Sequence, residues 1–187
     1  MATNARRLLT VEEFLELEFS GDEGRHVELD NGTIRMMAGG SAAHARVQTN
    51  IIGTLFAQLK GSGCRPYGSD MGVRTHDLSL RYPDVSVFCG RDGPENDALK
   101  QFDDPKLVVE VLSPSTRRED ETIKLNEYQA VASLDAIILV DPEIETVRLL
   151  TRRDRRGWQV VTIEKGDDIV IEAIGITLTW ADVFARS

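Results

Sequence analysis

Residues 105–116 read Pro105-Lys106-Leu107-Val108-Val109-Glu110-Val111-Leu112-Ser113-Pro114-Ser115-Thr116, an apolar run interrupted by one acid and closed by a short polar loop. Residues 107–112 have the length and composition of a sheet strand. Beyond the loop, residues 119–130 read as a helix. Ala136-Ile137-Ile138-Leu139-Val140 is a continuous apolar run suited to a central strand covered on both faces. The three pieces predict a strand, helix, strand unit.

Working outward toward the N-terminus, Thr10 and Glu13 have capping-box spacing before a short first helix. Asn31-Gly32, between His26-Val27-Glu28-Leu29 and Thr33-Ile34-Arg35-Met36, is a strong hairpin signal. Val47, Ile51, Leu55 and Leu59 recur every four residues, which predicts a long core helix ended by Gly61-Ser62-Gly63. Short extended pieces follow at residues 72–75 and 84–88, punctuated by prolines. Toward the C-terminus, residues 146–151, 158–163 and 169–171 and a closing turn at 180–184 read as an antiparallel appendage.

At 187 residues, 41% of them hydrophobic, the chain has the size of a single domain spanning 1–187. No run of about 18 apolar residues is present, and Thr3-Asn4-Ala5-Arg6-Arg7 has no long apolar stretch behind it. We therefore expect no membrane span, no signal peptide and a cytoplasmic location. Cys64 and Cys89 lie far apart with no paired metal-ligand spacing, and are expected reduced and partly buried. A net charge of −9 argues against a broad basic surface that coats nucleic acid, although it leaves room for a nuclease whose acidic centre holds a metal.

Glu110 is the most informative residue, because an unpaired carboxylate buried in such a strand costs several kcal/mol, on the order of 2–7 for a buried polar group and more for a charge. Either a metal ion or an ion pair with Arg or Lys would compensate it. Asp84 follows Pro83 at the start of an apolar strand, where turn chemistry is the ordinary explanation. Lys124 lies four residues after Asp120, an arrangement common as an exposed surface pair. Were the helix to fold back over the strand end, Lys124 would instead meet Glu110. Glu28 alternates with Val27 and Leu29 on what would ordinarily be a solvated hairpin face. His44 and Gln48 share one face at the start of the long helix, where His44 is a candidate to meet a phosphate or orient a ligand. Tyr128, on the Lys124 stripe, reads as core. The cluster Arg152-Arg153-Asp154-Arg155-Arg156 reads as a solvated turn, and Arg117 and Arg118 are better placed for phosphate contact.

Tyr82-Pro83-Asp84-Val85-Ser86-Val87, residues 105–116, Lys124, Tyr128 and Ile138-Leu139-Val140-Asp141-Pro142 together resemble the bacterial restriction endonuclease family of the Uma type. His26-Val27-Glu28-Leu29-Asp30-Asn31-Gly32 and His44 fit the same pattern. The family is assigned to the PD-(D/E)XK nuclease superfamily. The resemblance implies a restriction-endonuclease-like α/β core, a mixed β-sheet flanked by helices, with antiparallel strands added. It further implies a metal-dependent endonuclease that hydrolyses DNA, with Asp84, Glu110, Lys124, His44 and Glu28 as working residues. Mg²⁺ or Mn²⁺ would sit on Asp84, Glu110 and the Val111 carbonyl. The usual superfamily lysine, two residues after the acid, is here Leu112; the resemblance implies that its role has moved to Lys124. A homodimer would suit the two strands of a duplex. Two other readings stay open: an inactive nuclease-fold domain that binds nucleic acid or a protein, and an oligomerisation module in which Glu110 merely pairs with an arginine.

Overall fold

The computed structural model describes residues 7–17, 27–37, 39–115, 117–155 and 157–186. Residues 3–6, His26, Thr116 and Arg156, all singled out above, lie outside them. α1 (Val11–Leu15) opens on the expected capping box, with Glu13 N–H donating to the Thr10 hydroxyl and Thr10 N–H donating to the Glu13 carboxylate. β1 (Val27–Asp30) and β2 (Thr33–Met36) form the expected hairpin. Asn31 at φ 45° and Gly32 at φ 75° supply the left-handed pair that so tight a turn requires. α2 (Ala42–Leu59) starts where the Ser41 hydroxyl accepts from His44 N–H, and it buries Val47, Ile51, Leu55 and Leu59.

Next come β3 (Cys64–Gly68), β4 (Gly72–His76), β5 (Ser79–Arg81), β6 (Val85–Cys89), β7 (Gln101–Phe102) and β8 (Leu107–Val111). The helical segment that follows is not uniform. A short α3 (Arg117–Glu119) passes into a π-helical turn, Asp120–Lys124, and then into α4 (Leu125–Ala130). The chain finishes with β9 (Ala136–Asp141), β10 (Thr146–Arg152), β11 (Trp158–Ile163), β12 (Asp168–Ile171), β13 (Ile176–Thr179) and α5 (Trp180–Val183).

The central sheet has the order β11-β10-β9-β8-β6-β3, with β8 and β9 parallel and the other neighbours antiparallel. Side chains alternate across it. Leu107, Val109, Val111, Ile138 and Val140 meet α2 and the β12–β13 hairpin, while Val108, Ile137 and Leu139 meet Tyr128, Val131 and Leu134 on the other face. Covering both faces is what the apolar runs of β8 and β9 predict. A second sheet, β2-β1-β5-β4-β7, packs Leu29 and Leu80 against Val11 and Phe14 of α1.

Two expectations are corrected here. β10 and β11 are not an appendage but continue the central sheet, and only β12–β13 stands apart as a separate hairpin. The cysteines are not reduced: Cys64 and Cys89 face each other in the β3–β6 register and form a disulfide. Their 25-residue separation hid a pairing that only the strand order creates. Ile138 is fully buried in the middle of β9. We expect Ile138→Ala to lower stability by about 2–5 kcal/mol through the cavity it leaves, read as a shift in urea midpoint at unchanged slope. A loss below about 1 kcal/mol would contradict this packing.

Candidate active site

Parity along β8 decides where Glu110 points. Val109 and Val111 face α2, so Glu110 shares the Val108 face and meets the helix that returns across the sheet. There Tyr128 Oη donates to Glu110 Oε1 at 2.7 Å, both groups buried. The tyrosine counted above as core therefore has a polar task. Lys124 Nζ lies 3.6 Å from Glu110 Oε1, 3.6 Å from Glu28 Oε2 and 3.2 Å from Asp120 Oδ1. Asp120 and Lys124 are 2% and 6% exposed, so their pairing is not the surface contact that the spacing suggested. In a regular α-helix a four-residue stripe drifts by about 40° per step. The wider π turn rotates the other way, which keeps Asp120, Lys124 and Tyr128 on one inward line.

Asp84 lies just ahead of β6, beside the end of β8. Its Oδ2 accepts from Val111 N–H at 2.7 Å and lies 3.2 Å from His44 Nε2. Gln48, one turn along α2 from His44, donates from Nε2 to the Asp84 carbonyl at 2.9 Å. His44 is raised above the usual imidazole range mainly by its hydrogen bond to Asp84, against the opposing effect of burial, with a further backbone bond at Val111. His44 thus stands against Asp84, one of the groups that the resemblance assigns to a metal.

All five candidate residues, Glu28, His44, Asp84, Glu110 and Lys124, line one cleft of about 420 Å³ together with Gln48 and Asp120. Glu28 is buried rather than solvated. The reason is Arg81, a residue that sequence reading missed. It is fully buried and donates from Nη1 to Glu28 Oε1 (2.9 Å), from Nη2 to Asp30 Oδ1 (2.8 Å), and from Nε to Glu127 Oε2 (2.7 Å). The short strand β5 that carries it gave little periodic signal; the alternating acids Glu28 and Asp30 were the available hint. Arg117 pairs with the buried Asp141 at 2.5 Å, which ties α3 to the end of β9, whereas Arg118 is exposed. Arg152 is occupied by the Leu134 and Val131 carbonyls and stacks over Trp158.

Negative charge exceeds what the neighbouring cations neutralise. Burial pushes the Glu110 carboxyl up to about 8, with Lys124 opposing and Asp120 and Asp84 adding to the rise. Burial also raises Glu28, against Lys124 and Arg81. Burial alone would lower Lys124, but the fields of Glu110, Glu28 and Asp120 outweigh it and hold the amine well above its ordinary range. Glu28 Oε2 and Asp120 Oδ1 are buried without a hydrogen bond of good geometry. Such a cluster fits a divalent cation, which supplies the missing positive charge. Among the described residues no three His, Cys, Asp or Glu side chains enclose a ready-made cage. The donor set that the resemblance implies, two carboxylates and a backbone carbonyl, would leave the remaining positions to water, as Mg²⁺ commonly takes.

Comparison with known proteins agrees with this architecture. The profile of a family described as a putative restriction endonuclease, Uma2, matches residues 11–181. The uncharacterized protein slr1290 of Synechocystis sp. is 31% identical over 180 residues, covering 95% of this chain and 92% of its own. A second uncharacterized Synechocystis protein, sll1609, is 27% identical over 173 residues, covering 92% and 96%. The crystal structure of a putative nuclease belonging to DUF820 from Anabaena variabilis superposes with a TM-score of 0.74 at 19% identity. It covers 95% of this chain and 98% of that one, a likeness of fold.

Two measurements follow from the electrostatics. Glu110, Glu28 and His44 each bind protons more tightly folded than unfolded, so the folded state holds more protons between their ordinary and raised ranges. Stability then falls as pH rises through that window. In metal-free buffer we expect urea unfolding to show declining stability from about pH 4.5 to about pH 8, with the slope reduced in Glu110→Gln. A profile that rises across the interval would refute the charge assignment. For Arg81→Met, which strands Glu28, Asp30 and Glu127 without their shared cation, a loss of about 3–5 kcal/mol is expected. Arg81→Lys should recover little, because one ammonium cannot reproduce the guanidinium fork.

Proposed function

The chain belongs to the Uma2 family of putative restriction endonucleases, and from that premise we propose that it is a divalent-metal-dependent endonuclease hydrolysing DNA phosphodiester bonds. The observation that carries the reading is Lys124, buried between Glu28, Glu110 and Asp120 in the cleft that Asp84 also lines. Burying one cation among that many acids serves stability poorly, since well-packed apolar residues do as well or better in such positions. A site that must handle phosphate charge explains it.

In this reading Asp84, Glu110 and the Val111 carbonyl would hold Mg²⁺ or Mn²⁺. When bound, such an ion polarises a phosphoryl oxygen and makes a coordinated water more acidic. The protein's own groups supply position and field. Tyr128 fixes the Glu110 carboxylate through its hydroxyl, and Val111 N–H, His44 and Gln48 fix Asp84. The acids around Lys124 favour its charged form, which suits it to orient the attacking water and stabilise charge on the phosphoryl oxygens. Glu28 and Asp120 hold the ammonium in place, and Arg81 holds Glu28.

The net charge of −9 and Leu112 at the usual lysine position favour a second reading, a nuclease-fold domain that binds nucleic acid or a protein without cutting. Turnover separates the two. A homodimer belongs to the proposal as well, since cutting both strands of a duplex would suit a two-fold assembly.

Supercoiled plasmid incubated with Mg²⁺ or Mn²⁺ should be cut by the intact protein, and Glu110→Ala and Lys124→Ala should each lower the rate by about 10²-fold or more. Cleavage that survives both substitutions would refute the mechanism. Absence of cleavage by the intact protein on plasmid, single-stranded DNA and RNA would favour the non-cutting domain.

A further inference from the structure

We propose that β11 is a self-pairing edge, through which two copies of this chain join antiparallel about a two-fold axis and fuse their central sheets into one. β11 is the outermost strand of that sheet and has no strand partner on its outer side among the described residues. An open edge presents unpaired backbone N–H and C=O groups to any extended chain, and proteins ordinarily blunt it with proline, charge or shortness. The other edges of the two larger sheets carry those devices. β3 contains Pro66, β2 contains Arg35, and β7 has two residues. β11 runs for six residues, Trp158-Gln159-Val160-Val161-Thr162-Ile163, with neither proline nor charge, in a chain of which 28% is charged. Val160 is 57% exposed and Val161 39%, and the two point to opposite faces. On the Val161 side, Val170 of β12 is 47% exposed and lines the same groove.

Charge beside the strand identifies the occupant as a second copy. Arg153 and Arg155, with Asp154 between them, precede β11, while Glu164, Asp167 and Asp168 follow it, all exposed. Lys165, the cation within the acidic end, is engaged over the Trp180 ring at 4.8 Å. Antiparallel self-pairing lays the basic end of each copy against the acidic end of the other, twice over; a parallel arrangement would set like against like. A two-fold axis normal to the sheet must map one residue onto its own counterpart, which centres the pairing on Val160 or Val161.

The same axis reverses strand direction in the partner. The C-terminal ends of the two β8 strands then face opposite ways, separated by seven strand spacings, roughly 30 Å. This interface therefore does not gather both clefts on one duplex, and the expectation that a dimer cuts both strands together does not follow from it. The proposal concerns assembly alone and is independent of the nuclease reading.

Analytical ultracentrifugation of the full chain at micromolar concentration tests it without any activity readout. In low salt the unaltered protein should sediment as a dimer, twice its 20.8 kDa. Val160→Lys and Val161→Lys, made separately, set like charges directly across the axis in whichever variant marks its centre, and that variant should raise the dissociation constant by about tenfold or more. High salt should loosen the unaltered dimer as the Arg to Asp and Glu contacts are screened. Where either variant misfolds by circular dichroism, the salt titration decides. A monomeric protein, a dimer indifferent to both lysines, or one indifferent to salt would overturn the proposal.

Discussion

One buried carboxylate sets the terms for the rest of the molecule. Glu110 stands one residue from the end of a strand whose other members are all buried. A lone ionised carboxylate there would cost several kcal/mol, a large share of a domain's margin of stability of about 5–15 kcal/mol. The surrounding structure can be followed outward from that constraint. Tyr128 donates to Glu110, and Lys124 stands near it at 3.6 Å. Both come from one helical segment, and a π turn aligns them. Lys124 in turn draws in Glu28 and Asp120, and Glu28 requires Arg81, which also gathers Asp30 and Glu127.

The outcome is a chain of alternating charges that runs from the hairpin of the second sheet, through the cleft, to the centre of the first. Arg81 lies in β5 and Glu28 in β1, whereas Glu110 lies in β8 and Lys124 in the segment leading to α4. Two sheets with separate apolar clusters are thus joined by electrostatics at the cleft. Such a network is intolerant of partial removal, since each group left alone keeps its desolvation cost and loses its partner. It also keeps the acid count in excess, which is the condition that favours a divalent cation.

The periphery obeys a different logic. Arg117 and Arg152, both candidates for contact with a phosphate backbone by composition, serve instead to fasten the fold, one on Asp141 and the other on the carbonyls after α4. Arg118 remains exposed near the mouth of the loop. The open edge of β11 is the opposite case, a surface that the fold leaves unprotected although three other edges are short, proline-bearing or charged.

Local periodicity and turn chemistry, which act over a few residues, were legible without a structure. The capping box at Thr10, the Asn31-Gly32 hairpin, the four-residue stripe of α2 and the apolar runs of β8 and β9 all stand where the sequence places them. Glu110 announced itself by the mismatch between its charge and its neighbours, and family resemblance directed attention to Asp84 and Lys124. Strand order and side-chain direction depend on contacts between distant segments, and only the tertiary structure decided them. It joined Cys64 to Cys89, put β10 and β11 into the central sheet, turned Glu28 inward and buried the Asp120–Lys124 pair. Arg81 shows why: a lone arginine in a three-residue strand carries no local sign of burial, and its position follows from three acids that reach it from residues 28, 30 and 127.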